Sequence, residues 1–331
     1  MAIFRHTSDL PAEARGAVVV IGNFDGVHRG HQFVLADARR LADGLGAPMA
    51  VLTFEPHPRS VFLPDQPPFR LTSLRAKAHA LQEAGVDHLF VQHFDRAFAL
   101  KPAEAFVEDV LVGDLAARHV VVGWDFCFGH KRAGNVTLLK SMGATRGFGV
   151  TAVDPVMTGD GEVYSSSIIR DHLREGRPAK AAALLGRPWE IEGRVEPGEQ
   201  RGRTIGFATA NIGLGEFLCP ALGVYAVLAG RDPGVEHGGE TRWHHGVANL
   251  GRRPTVGGEG VRLEVHLFDF AEDIYGETLR VRLMDFIRPE KKFDGLDALK
   301  AQIALDCGQA REILAQSGPS SWPKAAPAKE E

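Results

Sequence analysis

The first half of the chain alternates short β-branched runs with longer stretches in which apolar residues recur at helical spacing. The helical pattern is clearest over 31–46 and 73–85, and Gly ends each of these stretches. The predicted strands are 17–22, 49–54, 88–94, 119–123 and 149–156. This regular alternation predicts a doubly wound parallel sheet with helices on both faces. In such a sheet ligands bind beyond the carboxyl ends of the strands, so the loops after the strands are the first candidates for a site.

From about Trp189 the pattern changes to alternating apolar and polar positions, punctuated by Gly and Pro. This alternation predicts antiparallel strands, most simply a small barrel that is closed or nearly closed. The predicted strands are 189–198, 223–230, 244–251, 261–270 and 278–286, followed by a helix over 296–315. We therefore predict an α/β domain over 1–186, a β domain over 187–312, and a disordered tail over 313–331 that is rich in Pro, Ala and Ser.

The charge balance and the cysteine content narrow the classes of function. A chain of 331 residues is about twice the usual size of one domain. Its 38 Lys and Arg against 42 Asp and Glu leave a formal charge of -4, so we expect no nucleic-acid and no membrane partner. Three widely spaced cysteines fit neither a disulfide framework nor a zinc site. No apolar run approaches the ~20 residues of a membrane span and the N-terminus lacks a signal-peptide pattern, which together predict a cytoplasmic protein.

A glycine-rich string follows the first predicted strand and precedes a helix. It reads Gly-Asn-Phe-Asp-Gly-Val-His-Arg-Gly-His over 22–31. Glycine lets the backbone approach a ligand closely, and the helix N-terminus offers unpaired N–H groups and the positive end of a dipole to an anion. His28 and His31 would lie on one side of the first turn and donate hydrogen bonds to phosphate oxygens. For the two histidines alone, the alternative is a turn with solvent-facing imidazoles.

Three further strings fall where the same sheet would place its site. The common phosphate motifs GxxxxGK[ST] and GxGxxG are absent, so other residues must hold any phosphate. The strings are Thr-Phe-Glu-Pro-His-Pro over 53–58, Val-Gly-Trp-Asp-Phe-Cys-Phe-Gly over 122–129, and Ser-Ser-Ser-Ile-Ile-Arg over 165–170. Serines at a helix start with an arginine one turn on suit a phosphate chain, although any one serine can simply cap the helix. Phe126 and Phe128 have core packing as an equal alternative.

These four strings resemble the HxGH nucleotidyltransferases, and more narrowly the adenylyltransferase half of the bacterial bifunctional riboflavin kinase/FAD synthetase family. The family patterns are GxFDGxHxGH, FEPHP, VGxDFxFG and SSTxIR, and Ser167 here replaces the family Thr with another hydroxyl. The resemblance implies that His28 and His31 stabilise charge on the phosphates of ATP. It implies ATP and phosphate binding by Gly22, Asn23, Phe24, Asp25, Gly30, Asp125, Ser165, Ser166, Ser167 and Arg170. It implies flavin binding by Pro56, His57, Pro58, Phe62, Phe106 and Phe128, for which spacing alone is no argument.

The β half carries a second group of strings. They are Gly-Arg-Val-Glu-Pro-Gly over 193–198, Gly-Arg-Thr-Ile-Gly-Phe-Ala-Thr-Ala-Asn over 202–211, and Gly-Val-Ala-Asn-Leu-Gly-Arg-Arg-Pro-Thr over 246–255. Thr209 and Asn211 offer oxygen ligands that suit Mg2+ together with a nucleotide phosphate. As isolated residues they would be ordinary hydrogen-bonding residues at a turn or strand end.

Alternation over 261–270 places a carboxylate away from the apolar layer. Val261, Leu263, Val265 and Leu267 share one face of the predicted strand, and Arg262, Glu264, His266 and Phe268 share the other. A lone glutamate in a strand is more often just a solvated side chain. Glu264 therefore needs a further argument before it is assigned a role.

The resemblance of this half to the riboflavin kinase domain supplies that argument and covers most of 189–306. The family patterns are GRxxGFPTAN, GVANIGxRPT and ExHLFDF. The resemblance implies that Glu264 activates the substrate hydroxyl. It implies nucleotide binding by Gly198, Gly202, Arg203 and Phe207. Ala208 stands where the family has Pro, which relaxes a backbone constraint without removing a ligand.

Together these features predict a bifunctional enzyme that forms FMN from riboflavin and ATP in its C-terminal domain and FAD from FMN and ATP in its N-terminal domain. The neutral ribityl hydroxyl gains from a carboxylate base, whereas the phosphate of FMN is already anionic and needs placement and charge neutralisation. The expected partners are riboflavin, FMN, FAD and ATP, with Mg2+ as cofactor, and the oligomeric state, a homo-oligomer included, stays open. Two alternatives remain: an enzyme with one half silenced, and a non-catalytic flavin-binding or regulatory protein.

Overall fold

The computed structural model describes residues 1–158, 161–197, 207–232, 241–255 and 258–316. The chain forms two compact units. The first contains 1–66 and 77–164, and the second contains 67–76 and the described chain from Ser165 on. Each unit has its own six-stranded sheet.

The first unit is built on a parallel sheet of six strands. Its strands are β1 (Ala2–Phe4), β2 (Val18–Ile21), β3 (Met49–Glu55), β4 (His88–His93), β5 (His119–Gly123) and β8 (Gly149–Val153), while β6 (Cys127–Phe128) and β7 (Gly134–Asn135) form a separate pair. The order across the sheet is β1-β4-β3-β2-β5-β8, with every neighbouring pair parallel. This confirms the predicted sheet. The edge strand β1 was not predicted, because three residues are too few to show a period.

Helices complete this unit. They are α1 (Arg29–Leu45), α2 (Pro58–Phe62), α3 (Leu74–Glu83, which belongs to this unit from Lys77 on), α4 (Arg96–Ala99), α5 (Ala103–Ala105) and α6 (Val136–Arg146), with a π-helical stretch over Phe106–Asp114. All four residues of β2 are buried, as expected for a strand covered on both faces. Helix α1 buries Leu35, Ala38 and Ala42 at helical spacing and ends at Gly46, whose left-handed conformation (φ 55°) suits glycine.

The order of the strands reverses at the centre of this sheet. From β2 the chain builds outward through β3 and β4, then crosses to the other side of β2 to form β5 and β8. The loops that leave the carboxyl ends of β3, β2 and β5 are therefore neighbours. A reversal of this kind leaves a crevice at which ligands bind in doubly wound folds.

The second unit is an antiparallel barrel of six strands. Helices α7 (Ser166–Arg174) and α8 (Pro178–Leu185) precede β9 (Trp189–Arg194), β10 (Ala210–Gly213), β11 (Gly223–Arg231), β12 (His244–Thr255), β13 (Gly258–Leu267) and β14 (Thr278–Pro289), and α9 (Leu296–Gln316) follows. The order is β10-β13-β12-β11-β14-β9. A bridge in which the Glu196 N–H donates to the Asn211 carbonyl at 2.9 Å brings the two edge strands together. The barrel is thus nearly closed, as predicted.

Apolar clusters lie on both sides of the barrel wall. Leu263 and Val265 of β13 are buried on the inside, as the alternation predicts. Phe268 was placed on the polar face with Glu264, but it is 5% exposed because it packs in a cluster with Leu314 of α9. Helix α9 covers this part of the outer face of the barrel, so the outer face of β13 is polar only where the helix does not cover it. Helix α9 runs to Gln316, and the rest of the predicted tail lies outside the described residues.

Residues 67–76 belong to the second unit although they lie far upstream in the chain. The indole Nε1 of Trp189 donates to the Leu71 carbonyl at 2.8 Å, and both residues are buried. The Arg70 carbonyl accepts from the Leu218 N–H at 2.8 Å. Ser73 donates to the Glu192 carboxylate of β9. These contacts with residues of the barrel unit explain why residues 67–76 belong to the second unit.

Candidate functional sites

The glycine-rich string forms a tight loop between β2 and α1. Phe24 (φ 49°), Gly26 (φ 91°) and Val27 (φ 44°) all have positive φ, and the Val27 N–H closes a turn onto the Phe24 carbonyl at 3.3 Å. A positive φ is uncommon outside glycine and is a real outlier for β-branched valine. Asp25 is buried within the loop, and Asn23 is exposed at its start. The loop therefore holds a strained backbone at the switch point of the sheet.

The two predicted histidines lie together at the start of α1. Their rings stack with centroids 3.7 Å apart and an angle of 20° between planes. His28 is the N-cap of the helix, where its Nδ1 accepts from the His31 N–H at 3.4 Å. In neutral His28 the ring proton is consequently on Nε2, which makes that atom a hydrogen-bond donor. The predicted placement of both imidazoles on one side of the first turn is what the structure shows.

Gly30 separates the two histidines and has no room for a side chain. A Cβ at this position would lie 2.9 Å from the Cβ of Tyr164 and 3.2 Å from the ring of His28. Gly22, at the start of the loop, is less confined, since a Cβ there would meet the Phe24 ring at 3.1 Å. The close packing at Gly30 explains why glycine must stand between the two imidazoles.

The loop after β3 carries the predicted residues Pro56, His57 and Pro58. His57 is buried and caps the short helix α2, with its Nδ1 accepting from the Arg59 N–H at 3.1 Å. Phe62 ends that helix with 62% of its surface exposed. This loop neighbours the glycine-rich loop, because β3 and β2 are adjacent in the sheet.

The remaining aromatic residues predicted for the flavin differ in exposure from Phe62. Phe106 and Phe128 are buried in the core of the first unit, with ring centroids 5.5 Å apart. Asp125, predicted for phosphate binding, is exposed in the turn that follows β5. Of these residues, Phe62 and Asp125 are exposed and accessible to a ligand, whereas Phe106 and Phe128 are buried beneath the surface.

The serine string begins α7, in the second unit. Ser165 is the N-cap, with its Oγ accepting from the Ile168 N–H at 3.2 Å, so the capping alternative holds for this serine. Ser166 and Ser167 occupy the first helical turn, and Ser167 is exposed. Arg170 is buried, its Nε donates to the Phe69 carbonyl at 2.8 Å, and its guanidinium lies over the Phe69 ring at 5.5 Å. The 67–76 segment thus fixes the orientation of this arginine.

Strand register places a carboxylate between two amides in the barrel. On β13, Glu264 pairs directly with Asn211 of β10 on one side and with Asn249 of β12 on the other. Residues directly opposite in antiparallel strands have Cβ atoms about 4.5–5.5 Å apart and share a face. Thr209 precedes β10 two residues before Asn211, and buried Ala210 separates them, so both face the same side as Glu264. The predicted residues Thr209, Asn211 and Glu264 are therefore brought together.

His266 holds the segment that carries Thr209. Its Nδ1 lies 2.8 Å from the Ala208 carbonyl, and its ring meets the Phe207 ring edge-on at 5.3 Å. A carbonyl only accepts, so Nδ1 carries the proton in this contact. This hydrogen bond uses the backbone carbonyl of Ala208, and a proline at this position would offer the same acceptor. The predicted nucleotide residues Gly198, Gly202 and Arg203 lie outside the described residues.

Two residues of this site were missed in the sequence. Asn249 lies within a recognised string but had no assigned role, and His266 had none either. Alternation shows that His266 shares a face with Glu264, yet only the pairing of β12 with β13 shows that Asn249 is the neighbour of Glu264. An asparagine in a strand, where this residue is depleted, was the available signal.

Within the described residues, no group of three or more His, Cys, Asp or Glu side chains is arranged to hold a metal ion. In the same part of the chain, no helix is long and apolar enough to cross a membrane. The three cysteines, Cys127, Cys219 and Cys307, are free thiols.

The glycine-rich loop with its two stacked histidines lies at the switch point of a parallel sheet, where doubly wound folds bind ligands, and the same chain contains a barrel with a second polar site. The family model for FAD synthetase matches residues 10–167, and that for riboflavin kinase matches 185–314. The chain belongs to the family of bifunctional riboflavin kinase/FMN adenylyltransferases.

Individual relatives match along nearly the whole chain. The bifunctional riboflavin kinase/FMN adenylyltransferase of Escherichia coli K12 is 43% identical over 312 residues, which is 93% of this chain and 96% of that protein. The Bacillus subtilis protein of the same name is 38% identical over 304 residues, or 90% and 92% of the two chains. A solved Streptococcus pneumoniae structure described as a macrolide-efflux protein has a TM-score of 0.80 at 32% identity and covers 93% of this chain and 98% of its own.

Proposed function

We propose that this chain phosphorylates riboflavin to FMN in its barrel and adenylylates FMN to FAD in its parallel-sheet unit, with ATP as co-substrate in both reactions. Family membership supports the pair of activities. The observation that carries the division of labour is the position of Glu264, a carboxylate paired across the strands with Asn211 and Asn249. A base is needed only where the nucleophile is a neutral hydroxyl.

In the kinase reaction, the terminal ribityl hydroxyl of riboflavin attacks the γ-phosphorus of ATP and ADP leaves. Glu264 accepts the hydroxyl proton as the new P–O bond forms. Asn211 and Asn249 lie directly opposite Glu264 on the two neighbouring strands, and we propose that their amides orient the carboxylate toward the hydroxyl. A positioned base of this kind contributes about 10²–10⁴-fold to the rate.

The residues beside Glu264 fit a magnesium ion. Thr209 supplies a hydroxyl and Asn211 an amide oxygen on one face, and Mg2+ prefers hard oxygen ligands with the rest of its sphere filled by water and substrate phosphate. When bound, the ion would neutralise charge on the transferred phosphoryl group. Phe207 and, outside the described residues, Gly198, Gly202 and Arg203 complete the proposed nucleotide site.

In the adenylyltransferase reaction, a phosphate oxygen of FMN attacks the α-phosphorus of ATP and pyrophosphate leaves. The attacking oxygen is already anionic, so the protein must place the two phosphates and neutralise charge. The His28 Nε2–H and the stacked His31 lie at the N-terminus of α1, where the helix dipole also favours an anion. We propose that they stabilise the charge that develops on the leaving pyrophosphate.

The other predicted residues remain part of this proposal. We propose phosphate binding by the loop residues Gly22, Asn23, Phe24, Asp25 and Gly30, by Asp125, and by Ser165, Ser166, Ser167 and Arg170. We propose flavin contacts at Pro56, His57, Pro58 and Phe62, with Phe106 and Phe128 behind them. Three free cysteines support the proposed location in a reducing cytoplasm.

The test separates the two activities within one molecule. Wild-type protein is incubated with riboflavin and MgATP, and the products are resolved by chromatography, with FMN and FAD both expected. Glu264→Gln should abolish FMN formation but still convert supplied FMN to FAD. Replacing His28 and His31 together by Asn should do the reverse. The assignment is wrong if wild type makes neither product, or if either change removes both activities while circular dichroism shows a folded protein.

A further inference from the structure

A buried lysine supports the glycine-rich loop over Gly22–His28, which we call the phosphate loop after its proposed function. Lys77 of α3 is 0% exposed, and its ammonium donates to the Thr53 hydroxyl at 3.2 Å and to the Glu55 carboxylate at 3.0 Å. Both acceptors are at the carboxyl end of β3, two residues apart on one face of the strand. A buried ammonium is costly unless it is paired and hydrogen-bonded, and β3 meets both needs.

The chemistry of these groups fixes the direction of the hydrogen bonds. The ammonium of Lys77 can only donate, so the Thr53 hydroxyl must accept from it. That hydroxyl has one proton of its own, which it donates to the Asn23 carbonyl at 3.2 Å. Thr53 is fully buried, so water does not compete for this contact. A one-way chain therefore runs from Lys77 through Thr53 to Asn23, the second residue of the phosphate loop.

The loop that this chain reaches needs external support. Phe24 and Val27 have positive φ, and residues in such conformations cost on the order of 1–3 kcal/mol each and persist only where the surroundings hold them. At the far end of the loop, Gln32 Nε2 donates to the Val27 carbonyl at 2.9 Å. At the near end, the Gly22 N–H donates to the Leu52 carbonyl at 3.1 Å, and the Thr53 hydroxyl donates to the Asn23 carbonyl. These contacts hold the loop at both ends, and the one from Thr53 is the side-chain contact at the near end that a substitution can remove.

Holding the Asn23 carbonyl also determines where the next N–H points. The peptide between Asn23 and Phe24 is planar and trans, so a carbonyl directed at Thr53 directs the Phe24 N–H the opposite way. Successive backbone N–H groups in turns of this kind form concavities that bind anions. The buried chain thus sets the orientation of a peptide in the phosphate loop without contact between Lys77 and substrate.

We propose that Lys77 is a positioning residue for adenylyl transfer, which acts through the Thr53 hydroxyl to hold the Asn23 peptide and the Gly22–His28 loop in the reactive conformation. The inference rests on the proposed function of that loop. Glu55 balances the charge of the lysine, and Thr53 transmits its position. This accounts for a buried lysine, a threonine and a glutamate that the two reactions themselves do not use.

Matched substitutions at Thr53 test the inference. Thr53→Val keeps the shape and removes both hydrogen bonds, whereas Thr53→Ser keeps the hydroxyl, and exposed Thr145→Val in α6 is the control for the type of change. We expect Thr53→Val and Lys77→Met each to lower kcat/KM for FMN-to-FAD conversion by about ten- to a hundredfold, the cost of losing one or two charge-assisted hydrogen bonds. Thr53→Ser and Thr145→Val should stay within about twofold of wild type.

Two further readouts separate positioning from general damage. Riboflavin-to-FMN conversion by the same molecules should stay within about twofold of wild type, because the barrel unit is untouched. The kcat/KM of the double variant Lys77→Met/Thr53→Val for FMN-to-FAD conversion should be no lower than that of the less active single variant, because both changes interrupt the same series of hydrogen bonds. Equal loss of both activities, a loss in the double variant equal to the product of the single losses, or full activity of Thr53→Val would each overturn the inference.

Hydrogen exchange tests the same contact without turnover. Peptides that cover Gly22–His28 should exchange faster in Thr53→Val and Lys77→Met than in wild type, and Thr53→Ser should match wild type. Unchanged exchange in both variants overturns the inference even if wild-type protein made no FAD. If wild-type protein makes no FAD and exchange still rises as expected, the proposed function fails while the positioning of the loop by Lys77 stands. If Lys77→Met does not fold, the Thr53 pair still decides the outcome.

Discussion

Glu190 and Glu192 lie two residues apart on one face of β9, yet their carboxyl pKa values move in opposite directions. Burial opposes ionisation of Glu190, but the guanidiniums of Arg280 (2.6 Å) and Arg282 (3.0 Å) outweigh it and hold the pKa of Glu190 below its usual range. Burial raises the pKa of Glu192, the Ser73 hydroxyl opposes the shift, and the nearby charge of Glu190 adds to it. Glu190 is thus an ion paired with two arginines, whereas burial disfavours the ionised form of Glu192.

This contrast predicts opposite effects of two matched substitutions on stability. Glu190 favours folding at pH values above its unfolded-state pKa, and that contribution is lost as pH falls through the lower folded-state pKa. At neutral pH Glu190→Gln should lower the free energy of unfolding by roughly 2–4 kcal/mol, because it removes the buried carboxylate that contacts both Arg280 and Arg282.

Glu192 has the opposite pH dependence. Its contribution is fully present below the unfolded-state pKa and is lost as pH rises through the raised folded-state pKa, so the ionised form is disfavoured at neutral pH. Glu192→Gln should therefore raise the melting temperature at pH 7 and have no effect near pH 4. Denaturation of both variants across pH 4–8 measures this, and a destabilising Glu192→Gln at pH 7 would contradict the assignment.

The two glycines of α1 predict opposite outcomes for one substitution. Gly30→Ala brings a Cβ to within 2.9 Å of Tyr164 and 3.2 Å of the His28 ring, whereas nothing lies within 4 Å of a Cβ at Gly44. We expect Gly30→Ala to destabilise the first unit by about 1–3 kcal/mol and to reduce FAD formation at least about tenfold. Gly44→Ala should stabilise by about 0.5–1 kcal/mol through helix propensity.

Melting curves and FMN-to-FAD assays of the two variants check this prediction. Riboflavin kinase activity, which we propose for the other unit, serves as the internal reference. Wild-type FAD formation by Gly30→Ala would show that the His28–His31 stack tolerates displacement and is not set by this packing.

Asn249 is predicted to support Glu264, the proposed base of the kinase reaction. It lies directly opposite Glu264 in the register of β12 and β13, so Asn249→Ala removes the amide that we propose to orient the carboxylate from that side. Asn249→Ala should lower kcat for FMN formation by about tenfold while FMN-to-FAD conversion stays at the wild-type level. Steady-state assays of both reactions test it, and equal losses in the two reactions would indicate misfolding instead of a local effect.

Trp189 is predicted to hold the 67–76 segment on the barrel. Trp189→Phe removes the hydrogen bond from the indole to the carbonyl of the fully buried Leu71, where water does not replace the lost donor. The expected cost is about 1–3 kcal/mol, seen as a lower melting temperature. Trp124, which is 58% exposed, provides the control, since Trp124→Phe should change stability by less than about 0.5 kcal/mol. Similar melting of the two variants would show that this bond contributes nothing measurable.

Local pattern was sufficient for the elements and for most of the candidate residues. Period two and period 3.6 recur wherever a strand or helix has one buried face, so five of the six strands in each main sheet and helices α1 and α3 were predicted from the chain alone. Strands β1 and β10, of three and four residues, are too short to show a period and were missed. Alternation likewise identified the face of Glu264, and it went wrong only for Phe268, which α9 covers.

The sequence by itself determined which faces are polar, where the strands end, and which chemical groups follow them. The tertiary structure decided which of these groups are neighbours: Asn249 beside Glu264, Lys77 behind Asn23, and residues 67–76 against the barrel. The physical reason is that a period records burial along one element, whereas register and packing depend on contacts between residues far apart in the chain. Those contacts are selected by the free energy of the whole fold, which no local pattern contains.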